Sequence, residues 1–141
     1  MSETLSPPAA NNIADFLSLH HLPRHYAHTI ETHFTPIAEA LAQRCHTQPD
    51  QPLWVAINGS QGSGKTTMAA ALVMLLQQNH QLRATAVSID DFYLTRSQRQ
   101  TLASDIHPLL LTRGVPGTHD IALAQKTLTA LGQRQELEIA I

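Results

Sequence analysis

The sequence predicts an α/β fold, three layers (α/β/α) about a parallel sheet, with a helical segment ahead of it. Three observations carry this expectation. An apolar run, LWVAIN at 53–58, leads straight into a glycine-rich turn, GSQGSGKT at 59–66. The turn opens an Ala-, Leu- and Met-rich run that suits a helix. A second strand-like run near 84–89 then ends on paired acids, Asp90 and Asp91. Strand, turn, helix and strand in that order describe one parallel crossover, and such sheets take ligands at the carboxyl edge of their strands.

Taken from the start, residues 1–12 are polar and proline-containing and read as a loose leader. From Ile13 to Cys45 apolar residues recur at helical spacing: Phe16, Leu17 and Leu19, then Tyr26, Ile30, Phe34, Ile37, Leu41 and Ala42. Pro23 separates a short first helix from a second, and Pro36 either kinks the second or opens a third with Thr35 as its cap. Residues 13–50 are thus a helical N-terminal segment, and 51–141 the α/β core. Five histidines, at 20, 21, 25, 28 and 33, crowd the helical segment. Pro23 interrupts the helical spacing of His21 and His25 and no thiol or carboxylate pattern completes a metal site, so these are read as solvated histidines.

Within the core, 53–58 is bounded upstream by Pro49 and Pro52 and suits a buried strand. The turn matches Gly-x-x-x-x-Gly-Lys-Thr, the phosphate-binding loop (Walker A) of P-loop NTPases, and Thr67 follows it. Its chemistry needs these residues. Gly59, Gly62 and Gly64 let the backbone of Gly59, Ser60, Gln61, Gly62, Ser63 and Gly64 wrap a phosphate with inward-pointing N–H groups. Lys65 brings a mobile charge to the outer phosphates, Thr66 a hydroxyl for Mg²⁺, and the following helix its positive end. ATP and magnesium are therefore the expected cofactors.

Asp90 and Asp91, at the end of the second strand candidate, emerge on the same sheet edge as the loop in this architecture. Such an acid can hold magnesium or accept the proton of an attacking hydroxyl; alternatively both acids simply cap the next turn. TRSQRQTLASDI, from Thr95, reads as a short helix capped by Thr95 with Arg96 and Arg99 solvated on its surface. HPLLLTRGVPGTHD, 107–120, is an ordered loop feeding a helix that ends near Gly132, with Thr118 as its cap and His119 and Asp120 in the first turn. Arg113 has no structural role of that kind, and its guanidinium can clamp a carboxylate or phosphate. ELEIAI at 136–141 alternates like the start of a third strand. Three strands make a small sheet, so the domain reads as incomplete.

Composition narrows the function classes. The 141 residues carry a formal charge of −2 with scattered basic residues, which argues against nucleic acid and anionic membranes as partners. A single cysteine, Cys45, cannot form an intrachain disulfide, and no signal-like N-terminus or membrane-length apolar run is present in the sequence. A cytoplasmic location is the expectation.

GSQGSGKTT, SIDDFYLT and HPLLLTRGVPGTHD, in this order, resemble the D-glycerate 3-kinase group of P-loop kinases, including the yeast-type ATP-binding kinase-like proteins. More distantly the chain is similar to uridine kinase, phosphoribulokinase and pantothenate kinase. The resemblance runs from about Trp54 onward. It implies that Gly59 to Thr67 hold ATP phosphates and magnesium, that Asp90 activates the acceptor hydroxyl, and that Asp91 is its neighbour near the metal. It also implies that Phe92 and Tyr93 wall an acceptor pocket to which Arg113, with the 114–120 turn including His119 and Asp120, contributes. Members of the group continue into a lid with arginines and an adenine-contacting segment, so the chain is expected to represent the N-terminal part of a kinase core. The expected function is transfer of the γ-phosphate of ATP to a hydroxyl of glycerate or a similar small acid. The alternatives are a truncated, non-catalytic ATP-binding fragment and a regulatory or mechanical NTPase.

Overall fold

Helices dominate the structure, a computed structural model that describes residues 12–133. The leader, apart from Asn12, and the strand expected at 136–141 lie outside those residues. The chain divides into two compact units, Met1–Ala86 and Val87–Ile141.

In the first unit, α1 (Ile13–Leu19) starts where Asn12 accepts the backbone N–H of Asp15 at 2.9 Å. It stops ahead of Pro23. The next helix, α2 (Tyr26–Thr29), runs without a break through a π-helical turn, Ile30–Phe34, into α3 (Thr35–Thr47). Pro36 explains the wide turn, because it has no N–H to continue the regular ladder. Thr35 does not act as a cap; its hydroxyl donates to the Ile30 carbonyl at 3.2 Å. The long helix α4 (Lys65–His80) packs against α3 and the π turn. Phe16, Leu17, Ile30, Ala38, Ala71, Leu72, Met74 and Leu75 form the buried core of this unit, with Ile57 and Met68 against it. The helical segment therefore packs on the helix that follows the glycine-rich loop, and anchors it by burial of apolar surface. Gln81 ends α4 in the left-handed region, φ 55°, and Leu82 donates back to the Leu76 carbonyl at 3.1 Å.

In the second unit a 3₁₀ turn, Ile89–Phe92, precedes α5 (Arg96–Asp105), a second 3₁₀ turn, Pro108–Leu111, and α6 (Ile121–Gly132). α5 packs on the second turn and α6 on the first. Thr95 caps α5 as expected: its hydroxyl accepts Gln98 N–H at 3.3 Å while Gln98 Oε1 accepts Thr95 N–H at 2.9 Å. Thr118 does not cap α6. That cap is Asp120, whose Oδ1 accepts Leu123 N–H at 2.9 Å.

No strand ladder forms among the described residues; the one β feature is an isolated antiparallel bridge between Tyr93 and His119. Residues 53–58 and 84–88 lie outside the helices and pair with no other strand among the described residues. A parallel strand needs a partner's N–H and C=O groups along its edge, and the side chains of Trp54 and Val55 are exposed, at 56% and 50%.

Candidate functional site

Two groups of residues, one in each unit, have the chemistry of a site. In the first unit, Gly64 precedes α4 in the left-handed region, φ 84°, and Gly62 is likewise left-handed at φ 75°. Both positions require glycine for conformational reasons, since a Cβ there would meet nothing within 4 Å. The loop doubles back tightly enough that a Cβ on Gly59 would come within 2.9 Å of Ser63 Oγ. Ser63 N–H closes the turn on the Ser60 carbonyl at 3.2 Å.

Lys65 folds over this loop and donates from Nζ to the carbonyls of Gly59, at 2.9 Å, and Ser60, at 2.8 Å. Those bonds turn the carbonyls of the loop's first residues toward the ammonium and so fix its curvature. No side chain caps α4, and among the described residues the N–H groups of Lys65, Thr66 and Thr67 have no acceptor. A helix start with several unbonded donors, a neighbouring ammonium and an open glycine backbone is complementary to an anion. Ser60, Gln61, Ser63 and Thr66 are exposed around it. These features fit a nucleotide's phosphates, with the Thr66 hydroxyl free to bind magnesium.

In the second unit the two acids have separate fates. Asp91 is taken up by a capping box: its Oδ2 accepts Ser88 N–H at 2.8 Å, and Ser88 Oγ accepts Asp90 N–H at 3.2 Å. The Asp90 carboxylate is exposed and accepts no hydrogen bond among the described residues. Asp90 is therefore the acid left available for chemistry. Phe92 is buried at 6% exposure and anchors the turn.

Tyr93, Arg113 and His119 come together. The Tyr93 and His119 rings stack with centroids 4.2 Å apart, and the Arg113 guanidinium carbon lies 5.4 Å from the Tyr93 centroid. Backbone bonds on both sides of Tyr93 hold it beside His119: Leu94 N–H donates to Thr118 O at 2.9 Å and Asp120 N–H to Phe92 O at 2.6 Å. Thr118 is fully buried, its hydroxyl donating to Val115 O at 2.6 Å, which pins the turn that presents His119.

Arg99 also departs from its expected place. Expected on the surface, it is buried at 8% exposure and donates through Nε to Leu94 O at 3.1 Å and through Nη1 to Leu111 O. The signal was present, because Arg99 shares a helical face with Leu102, Ala103 and Ile106. Arg96 is exposed. Among the described residues no three His, Cys, Asp or Glu side chains gather into a metal site, and no helix is long and apolar enough to cross a membrane.

The chain is similar to kinases over roughly 60% of its length. A Schizosaccharomyces pombe protein, the uncharacterized kinase mug58, is 37% identical over 93 residues, covering 64% of this chain and 33% of its own. The chloroplastic D-glycerate 3-kinase of Arabidopsis thaliana is 39% identical over 84 residues, 58% of this chain and 18% of that enzyme. The probable ATP-dependent kinase TDA10 of Saccharomyces cerevisiae is 35% identical over 89 residues, 60% of this chain and 31% of its own. The chain thus matches a third or less of the length of these relatives. No family model matches it, and no solved structure matches it significantly.

Proposed function

We propose that the chain carries the ATP-handling and acceptor-activating residues of a small-molecule kinase that transfers the γ-phosphate of ATP to a hydroxyl of D-glycerate or a similar small acid. The observation that carries this reading is the uncapped start of α4 behind the Lys65-braced loop, in a chain whose relatives are named kinases. The proposed fold is the P-loop NTPase-type sheet, with 53–58 and 84–89 as strands.

The backbone of Gly59 to Gly64 and the N–H groups of Lys65 to Thr67 would receive the phosphates, and Lys65 would neutralise the charge developing on them. Bound magnesium would screen the phosphate oxygens, with Thr66 and Asp90 as the residues able to hold it. Asp90 would accept the acceptor's hydroxyl proton. Asp91 would keep the 88–92 turn closed so that Asp90 stays in place. Arg113 would bind the carboxylate of the acid, beside the Tyr93–His119 stack. Support for glycerate itself comes from the Arabidopsis relative and from the presence of a cation, Arg113, suited to a small carboxylate.

ADP release measured with and without D-glycerate and other short hydroxy acids tests the reading. Release that depends on a hydroxy acid is expected; release equal with water alone would identify a nucleotidase, and no release with ATP still bound would identify a non-catalytic binding fragment.

A further inference from the structure

We infer that Arg99 is a positioning residue that sets the geometry of the Tyr93–Arg113–His119 group. A buried guanidinium without a carboxylate is costly unless its N–H groups find acceptors. Here the acceptors are two backbone carbonyls, Leu94 and Leu111, and among the described residues no acid pairs with Arg99. Their places in the chain give this bond pair its meaning. Leu94 directly follows Tyr93, and Leu111 stands two residues before Arg113.

The segment holding Tyr93 is already tied to the His119 segment by Leu94 N–H to Thr118 O and Asp120 N–H to Phe92 O. Past Arg113 that tie continues, since Thr118 N–H and hydroxyl both donate to Val115 O, at 3.2 and 2.6 Å; ahead of it, no backbone bond among the described residues joins the Tyr93 segment to residues 111–113. Arg99 supplies that link, and it does so through a rigid planar group able to bond two carbonyls at once. Lysine, with one ammonium on a flexible stem, would not hold the same pair in one plane. Arg113 is thereby held beside the Tyr93 ring from both sides, through Val115 after it in the chain and, by way of Arg99, through Leu111 before it.

The inference rests on the proposed function only for the ligand that this group receives. It is tested in the full chain with Arg99→Lys, with Arg99→Gln as a second variant and Arg96→Ala as the control on the same helix. One readout needs no activity: the ring-current shielding of the Arg113 side-chain protons by Tyr93, seen by NMR. Shielding is expected to collapse in Arg99→Lys, to persist in Arg96→Ala, and the thermal midpoint to move by only about 3 °C. The second readout is kinetic: the KM for the hydroxy acid should rise on the order of tenfold or more while that for ATP stays within about twofold.

Shielding retained in Arg99→Lys, or the two KM values rising together, would overturn the inference. If the unaltered chain shows no acceptor-dependent turnover, the kinase reading fails and the shielding comparison alone decides the role of Arg99. If neither variant folds, the unaltered chain decides: slowly exchanging, separately resolved Arg99 guanidinium protons are expected, and rapid exchange like that of Arg96 would refute the clamp.

Discussion

Asp91 Oδ2 accepts the backbone N–H of Ser88 at 2.8 Å, an N-terminal cap that leaves its neighbour Asp90 with an unengaged carboxylate. Two adjacent acids of the same type are thereby assigned different work. Asp90→Asn is expected to leave the fold intact and ATP binding largely so, and to reduce phosphoryl transfer at least a hundredfold. Asp91→Ala should cost about 1 kcal/mol of stability in urea unfolding, the usual worth of a cap. Full turnover in Asp90→Asn would remove it from the role of base.

Lys65 braces the loop through two carbonyls, at 2.9 and 2.8 Å, and brings a positive charge to the loop proposed to receive the phosphates. Lys65→Ala removes both the brace and the charge. Titration calorimetry with ATP should show binding lost or weakened on the order of a hundredfold, since charge-assisted bonds contribute roughly 1.5–3 kcal/mol. Affinity within twofold of the unaltered chain would place the nucleotide elsewhere.

Gln81 occupies the left-handed region at φ 55° without being glycine, while Leu82 closes the helix end on Leu76. Gln81→Gly should relieve that conformation and stabilise the first unit by about 1 kcal/mol, because an L-residue costs roughly 1–2 kcal/mol there. A denaturation midpoint that falls would show that the Gln81 side chain supplies more than the backbone loses.

Leu72 sits in the core where α4 meets the helical segment, at 4% exposure. Leu72→Ala should destabilise the chain by roughly 2–5 kcal/mol, through lost burial and the cavity left behind. Measurement by urea unfolding checks this directly. A loss near zero would mean that α4 does not depend on the helical segment for its position.

What the sequence disclosed follows from what is local. The helix starts at Thr95 and Lys65 and the break at Pro23 depend on neighbouring residues, and the 59–66 turn is legible because its glycines and lysine act within eight positions. The fate of Asp91 was open because capping and catalysis favour the same residue type at the same place. Arg99 defies the expectation of a solvated arginine because the carbonyls of Leu94 and Leu111, one of them 12 residues away, make its burial tolerable. Thr118 and Asp120 both suit a cap; what separates them is that the Thr118 hydroxyl is taken by the Val115 carbonyl, which leaves the cap to Asp120. A sheet depends on pairing between distant segments, which is why 53–58 and 84–89 can be named as strand candidates from sequence while their partners cannot.

Phosphorus NMR of the chain incubated with ATP, magnesium and D-glycerate tests the central claim most directly, because it identifies where the γ-phosphate goes. Growth of a phosphomonoester resonance in step with ADP, absent in Asp90→Asn, is the result expected. Inorganic phosphate as the sole product, unaffected by the acid, would contradict a kinase function.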